Sequence, residues 1–525
     1  MNRPSENSNT GSTISTFLVM ICTFISRLLG FLRIAVITAV FGASGKADII
    51  NLTFSIPNNF RKLLAEGALS SAFIPVLSAS IQNDTTLKSS RTIVQNIITL
   101  QLIILIPFCI LSIFFSNTLV SKVLSEFSDP DSLALASKLF SWFILYLLFV
   151  SISAAMMGVI NSHNKFFVPA VTPTLFSISL ITAILVLHRR LDVYSMVLGV
   201  LLGGIAQIAF QYPLFKRLGY NFKINFSFHN QEFRTIMRRW LPVVATSSVF
   251  TITQTIAFRF ATGLEDGSTS ALTNALVFYQ LPYGLFSASV STVLFPRMSR
   301  QAAMHDTPGL SNSLQYGLRF LLILLLPSAL VLAISGREII AVAIQRGQFT
   351  AENTLMTVSV LTGYCYGLFS VGAYNFTQRF FYSLGNYKIP FFVSIFVAVL
   401  DIGLSLWLKE TPLRVAGLSI ANSISFTLGL VFLLLAAKKI TGSLQIRRIL
   451  VTLGKIILTL VPVYLFNHFF LKYTGEWWIR GSTLPNLGRL LVFICVDIGI
   501  ILGSYRIFRI EMVSILFQFF KRKGS

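Results

Sequence analysis

Two arginines lie in the stretch Ser26-Arg27-Leu28-Leu29-Gly30-Phe31-Leu32-Arg33, inside an otherwise apolar run. At about 100° per residue on a helix, Arg27 and Arg33 project about 60° to either side of Gly30. Two fixed positive charges then flank a strip where a ligand can approach the backbone closely. A guanidinium stays charged at any working pH and binds phosphate oxygens bidentately. The alternative is that one of the two arginines snorkels to the interface, which either alone could do, whereas both together near mid-span favour a cavity. An ionisable residue inside a membrane span costs about 2.5–3.5 kcal/mol on insertion scales, so it should face a cavity or a partner. A second polar stretch begins at Asp48 and continues through Ile56-Pro57-Asn58-Asn59-Phe60-Arg61-Lys62 to Glu66-Gly67-Ala68. Proline removes a helical hydrogen bond, so a break is expected near Pro57. Arg61 and Lys62 would meet an anion, while Asp48 and Glu66 would orient arginines; the competing reading is a loop between two short helices. Ser248, Thr251, Thr255 and Arg259 share one helical side as a polar stripe. Asp401, opposite Ser419, Asn422 and Ser423, is either a site for Na⁺ or a proton, or a carboxyl hydrogen-bonded across helices.

The elements that position these residues must be membrane helices. Of the 525 residues, 54% are hydrophobic and 12% charged; soluble domains carry about 25% charged residues. Mean hydropathy is +0.74. Forty-two Lys and Arg against 19 Asp and Glu give a net charge of +23. These bases punctuate apolar runs instead of forming a domain or tail, which argues for cytoplasmic loops and against a nucleic-acid partner. The four cysteines sit in apolar stretches without CxxC spacing, so neither a disulfide framework nor a metal site is expected. The first residues are polar and no small-residue cleavage site follows the first apolar run, which disfavours a cleaved signal peptide. The five histidines are scattered and no acidic pair sits inside a span, which disfavours a membrane-embedded polyprenyl-phosphate enzyme.

An all-α polytopic membrane protein with about 14 transmembrane helices is therefore expected, since lipid leaves the backbone no other partner. The candidate spans are 14–41, 49–80, 92–120, 133–161, 166–187, 193–215, 240–263, 269–296, 313–335, 354–382, 389–408, 414–437, 449–471 and 485–508. They divide the chain into a polar tail (1–13), an N-lobe of six spans (14–215), a basic cytoplasmic linker (216–239), a C-lobe of six spans (240–437), two additional helices (449–508) and a basic tail (509–525). With both termini cytoplasmic, most bases fall in cytoplasmic loops and most acids outside, with Arg189 and Arg190 against the trend.

The halves echo each other. Pro75 in Ser71–Ser78 corresponds to Pro296 in Thr292–Ser299, and Pro169 in Asn164–Pro169 to Pro390 in Gly385–Pro390. Both pairs are separated by the same 221 residues (296 − 75 and 390 − 169). A common offset points to two pseudo-symmetric six-helix lobes, the internal repeat of transporter folds, whose substrate sites lie near the repeat interface.

Residues 26–33, Phe41-Gly42-Ala43, Ala47-Asp48 and the run from Ser55 to Pro75 resemble the MurJ/MviN family of lipid II flippases, within the multidrug/oligosaccharidyl-lipid/polysaccharide (MOP) exporter superfamily. So do Asn161–Pro169 with Pro173-Thr174-Leu175, Leu281-Pro282 to Ser299, and Gly347-Gln348-Phe349-Thr350. The resemblance covers nearly the whole chain. It implies two lobes around a cationic cavity, a lipid-tail groove made by the last two helices, and transport by alternating access. The implied substrate is lipid II, the undecaprenyl-pyrophosphate-linked peptidoglycan precursor, carried across the bacterial inner membrane with no cofactor. Coupling to the membrane potential, H⁺ or Na⁺ and partners among cell-wall synthesis proteins are also implied; another polyprenyl-linked glycan is the alternative cargo. By position, Arg27, Arg33 and Arg61 match the family's pyrophosphate-engaging arginines, and Asp48 and Glu66 its accompanying acids. The family's Asp-Arg pair in the eighth span is here Leu276-Val277, so the second-lobe arginine is absent and Arg259 is the candidate to replace it.

Overall fold

A computed structural model of the chain describes residues 7–64, 68–84, 86–442, 444–474 and 483–510. Among them every regular element is helical. The first half contains α1 (Asn7–Phe41), α2 (Gly45–Leu64), α3 (Ala68–Asn83), α4 (Lys88–Phe114) and the short α5 (Ser116–Leu119), which runs into a π turn at Val120–Leu124. It continues with α6 (Pro130–Phe143), α7 (Tyr146–Ser162), α8 (Phe167–Leu191) and α9 (Tyr194–Arg217). Then come α10 (Gln231–Thr262), α11 (Ser268–Pro282), a π turn at Tyr283–Ser287, α12 (Ala288–Ala303), α13 (Thr307–Ile334), α14 (Gly336–Ile344) and α15 (Ala351–Ser383). The chain closes with α16 (Lys388–Leu408), α17 (Arg414–Thr441), α18 (Ile446–Thr474) and α19 (Thr483–Ile507).

Among the described residues, ten helical segments are long and apolar enough to cross a membrane. They coincide with expected spans three to six and nine to fourteen, α6 and α7 together making the fourth. The remaining four expected spans fall on α1, on α2 with α3, on α10, and on α11 with α12. The expected break at Pro57 does not occur: α2 continues through it to Leu64. Proline removes one donor but its φ of about −65° is helical, and Asn58, Asn59 and Arg61 are carried on the same continuous helix. All four cysteines are free.

The 221-residue offset extends to the helix ends. Shifting α6–α7, 130–162, by 221 reproduces α15, 351–383, and shifting the end of α1 at Phe41 reproduces the end of α10 at Thr262. The capping chemistry shifts too. Asp129 caps α6 by accepting from the Ser132 N–H at 2.8 Å, and Thr350 caps α15 in a reciprocal box with Asn353. Such caps satisfy the free N–H groups of a first helical turn. Asn164 and Gly385, again 221 apart, both adopt left-handed backbone, with φ of 57° and 68°.

The chain divides into two compact units, one of Met1–Gly263 with Arg346–Gln348 and one of Leu264–Gln345 with Phe349–Ser525. In the first, α8 packs on α1 and α9, while α10 lies against α2, α3 and α4. Small residues permit the close α8–α9 approach: a Cβ at Gly203 would come within 2.8 Å of the Phe176 ring. Gly42 closes α1 at φ +68°, and a Cβ there would meet the Gln348 carbonyl oxygen at 2.7 Å. The Gln348 N–H in turn donates to Ala39 O at 2.9 Å.

In the second unit α15 packs on α17, α13 and α11, and Ser423 Oγ donates to Gly363 O at 2.6 Å. Within this unit a buried polar chain ties the last two helices to the junction of α13 and α14. Ser335 Oγ donates to Asn467 Oδ1 at 2.8 Å, and Asn467 Nδ2 to Asp497 Oδ1 at 2.7 Å. All three residues are buried. The Tyr505 hydroxyl adds a bond to Ile323 O at 2.5 Å.

Candidate functional site

Within the first unit, Arg33 on α1 and Arg61 on α2 come close enough to interact, with α8 packed against α1 beside Arg33. Arg33, half-buried on α1, holds its guanidinium carbon 5.3 Å from the centre of the Phe176 ring on α8. Phe176 belongs to an aromatic cluster: its ring centroid is 5.2 Å from that of Tyr146 and 6.3 Å from that of Phe54, which meets Phe143 at 5.5 Å. Arg33 is thus seated on a ring face, where the quadrupole attracts a cation without neutralising it. The charge of Arg61 lies close enough to act on Arg33. Arg61 Nε donates to Asn58 Oδ1 at 3.2 Å, one turn back on α2. Neighbouring guanidinium groups repel in low dielectric, and an anion between them relieves that repulsion.

Arg27, two turns earlier on α1, is exposed. Asp48 occupies the first turn of α2, where a carboxylate complements the helix dipole, and is only 3% exposed. Lys62 lies on α2, and Glu66 falls outside the described residues. Arg259 sits in the last turn of α10, and its Nε is 3.7 Å from Glu126 Oε1, on the segment before α6, at a distance typical of an ion pair without a hydrogen bond. The Glu126 N–H donates to Thr262 Oγ1 at 2.8 Å, which ties that segment to the same helix end. The polar stripe leading to Arg259 is realised on one continuous helix, with Thr251 buried and the Thr255 hydroxyl donating to Thr251 O at 2.9 Å.

In the second unit Asp401 is buried on α16. Asn422 Nδ2 on α17 donates to its Oδ2 at 3.0 Å and Ser405 Oγ to its Oδ1 at 3.4 Å. Both oxygens therefore have donors across or along the helix pair. Among the described residues no group of three or more His, Cys, Asp or Glu could hold a metal ion. Leu276 and Val277 are half-buried on α11.

Sequence reasoning missed two contributors. Phe176 carries no local signal, because phenylalanine is abundant and its meeting with Arg33 depends on α8 packing across α1. Glu126 carries no signal in the sequence beyond that of an acid between two apolar runs. Asn58, three residues before Arg61 on one helix face, was legible from spacing alone.

The family described as "Lipid II flippase MurJ" matches residues 37–487 of this chain. A "Probable lipid II flippase MurJ" of Borreliella burgdorferi is 33% identical over 512 residues, covering 97% of this chain and 98% of that protein. The protein of the same name from Buchnera aphidicola subsp. Acyrthosiphon pisum is 30% identical over 479 residues, covering 90% and 92%. Among solved structures, a lipid II flippase MurJ in an inward closed conformation matches with a TM-score of 0.74 at 26% identity, over 93% of this chain and 99% of that one. An inward-facing multidrug transporter of the MOP superfamily matches in fold, with a TM-score of 0.66 at 14% identity over 82% and 98%.

Proposed function

This chain belongs to the lipid II flippase MurJ family, and from that premise we propose that it moves lipid II from the cytoplasmic to the outer leaflet of a bacterial inner membrane. The substrate is a pyrophosphate head on a polyprenyl tail, and its passage requires a polar, cationic route through hydrocarbon. The observation that carries this reading is Arg33 held on the Phe176 ring with the Arg61 charge nearby. A ring face beneath Arg33 holds the guanidinium without neutralising it, so its charge stays available for an incoming anion. Arg33 and Arg61 are assigned to the pyrophosphate, together with Arg27 and Lys62. Asp48 and Glu66 are the acids that hold or exchange these bases as access alternates, and Arg259 supplies a further contact. Both termini are cytoplasmic in this reading, as the excess of Lys and Arg in alternate loops favours. The membrane potential or a gradient of H⁺ or Na⁺ drives the cycle, with Asp401 the acid that would take the ion. Cell-wall synthesis proteins are the partners expected beside it.

The test is rescue of a strain depleted of its own lipid II flippase, with Arg27, Arg33, Arg61 and Arg259 changed singly to Ala. Loss of rescue by Arg33→Ala and Arg61→Ala, with the proteins present in the membrane, is expected. Full growth of both variants would reject the assignment. Translocation of labelled lipid II in liposomes, followed by analysis of the lipid, separates transport from conversion: a chemically altered lipid would favour a membrane enzyme.

A further inference from the structure

Beyond the arginine site, the first unit carries a cationic cavity. The chain leaves α9 at Arg217 and runs as irregular backbone alongside the first turns of α4 before entering α10. The Asn225 N–H donates to Thr99 Oγ1 at 2.9 Å, Gln95 Nε2 to Asn221 Oδ1 at 2.9 Å, and Asn96 Nδ2 to Ser227 O at 2.8 Å. The segment alternates with the period of an extended chain. Asn221, Lys223 and Asn225 are its polar residues, while Phe222, Ile224 and Phe226 are 44%, 64% and 65% exposed. The Phe222 ring stacks on exposed Tyr212 at 5.7 Å. An extended segment with bare apolar side chains, beside the ends of two membrane-crossing helices, belongs at the headgroup level of a bilayer.

Behind it lies an open cavity of about 440 Å³ lined by Lys88, Arg91, Lys223, Thr92, Gln95 and Asn221. Gly219 turns at φ +88° and presses close to Arg91: a Cβ there would come 2.8 Å from its terminal nitrogen. Among the described residues no carboxylate pairs with Lys88, Arg91 or Lys223. Two acids at this end of α4 are occupied elsewhere: Asp84 accepts from the Thr86 and Ser89 N–H groups, and Glu232 accepts from Ser89 Oγ.

We propose that this cavity binds the phosphate of an anionic membrane phospholipid, whose acyl chains lie against Phe222, Ile224 and Phe226. Three cations without a carboxylate partner, with the Asn221 amide beside them, match a phosphodiester. The apolar row outside selects a phosphate that comes attached to a lipid. The site shares no residue with the proposed pyrophosphate site and does not depend on that reading.

The full-length protein in detergent micelles is titrated with phosphatidylglycerol, phosphatidylcholine or inorganic phosphate, and bound lipid is read by native mass spectrometry. Phosphatidylglycerol is expected to bind more tightly than phosphatidylcholine. Arg91→Gln and Lys223→Gln should each weaken its tightest site about fivefold, the worth of one juxtamembrane cation. The double variant should lose that site, while Lys46→Gln, at the exposed Asp192 ion pair, leaves it intact. Phe222→Ser with Phe226→Ser should weaken the lipid as well. Unchanged phosphatidylglycerol binding by the Arg91/Lys223 double variant would overturn the proposal. So would equal binding of the two lipids. If inorganic phosphate displaces the lipid and the serine variants bind it as the parent does, the cavity takes a free anion and the lipid assignment falls.

Discussion

Replacing Phe176 by Leu removes the ring beneath Arg33 while keeping an apolar residue on α8. Phe176 is 6% exposed and Arg33 half-buried, so the contact lies between the exposed regime of about 0.5–1 kcal/mol and the desolvated one of about 2 kcal/mol. A loss of about 1 kcal/mol follows, which is about fivefold in an equilibrium constant. The volume lost against Tyr146 and Phe54 adds a packing cost of similar size, and that part falls on stability. Initial rates of lipid II translocation in proteoliposomes, normalised to folded protein, should therefore drop about fivefold for Phe176→Leu. Phe176→Tyr keeps the ring face and should stay within about twofold. Arg33→Lys keeps a cation over the ring but loses the planar fork, and should fall further than Phe176→Leu. Equal rates for the parent, Phe176→Leu and Arg33→Lys, with unfolding midpoints shifted, would show that the ring only packs and that Arg33 does not meet the anion.

Glu126 and Arg259 should couple weakly. At 3.7 Å and with side chains 26% and 36% exposed, a double-mutant cycle of Glu126→Gln and Arg259→Gln, read by denaturant unfolding, should give about 0.2–1 kcal/mol; zero coupling would remove the ion pair as a reason for Arg259's placement. In the last two helices, Asn467→Leu deprives Asp497 and Ser335 of their shared partner at once and should cost about 3 kcal/mol or more, whereas Asp497→Asn leaves a neutral, bondable group and should cost under about 1 kcal/mol; the reverse order in unfolding experiments would refute the polar chain. His163 Nε2 lies 3.0 Å from the Tyr220 hydroxyl, and burial lowers the His163 pKa below its ordinary 6.5. The unfolded chain then takes up the proton more readily than the folded one, so stability is full above pH 6.5 and falls as pH drops below it. His163→Gln should flatten that slope, and an identical slope in the variant would exclude His163 as its source.

The membrane helices were legible because lipid enforces a simple code of about 20 apolar residues per crossing. Expected spans 166–187 and 389–408 became Phe167–Leu191 and Lys388–Leu408. The repeat was legible through two proline pairs, and the Asp129 and Thr350 caps, equally spaced, were available in the same sequence. Pro57 misled because a single lost hydrogen bond does not end a helix that neighbours support on both sides; α2 packs on α6, α7 and α10. The arginines stood out because charge is costly in hydrocarbon. The ring beneath Arg33 did not, since an apolar residue in an apolar run announces neither its partner nor its direction. Asp401 was singled out by its charge, but only the packing of α16 on α17 shows that Asn422 and Ser405 already donate to it.

The link from Ser335 through Asn467 to Asp497 also imposes an order in time. Ser335 leaves the ribosome 162 residues ahead of Asp497 (497 − 335), an interval of about 8–30 s at ordinary rates of synthesis. Throughout it the hydroxyl, at the junction of α13 and α14, has only neighbouring backbone carbonyls to turn to. The carboxyl arrives last and finds an amide already in place, so the most expensive group of the three enters only when its acceptor role is prepared. Until the final helix arrives that amide is held by Ser335 Oγ, which donates to its oxygen, and by Val463 O, to which its Nδ2 donates at 2.8 Å.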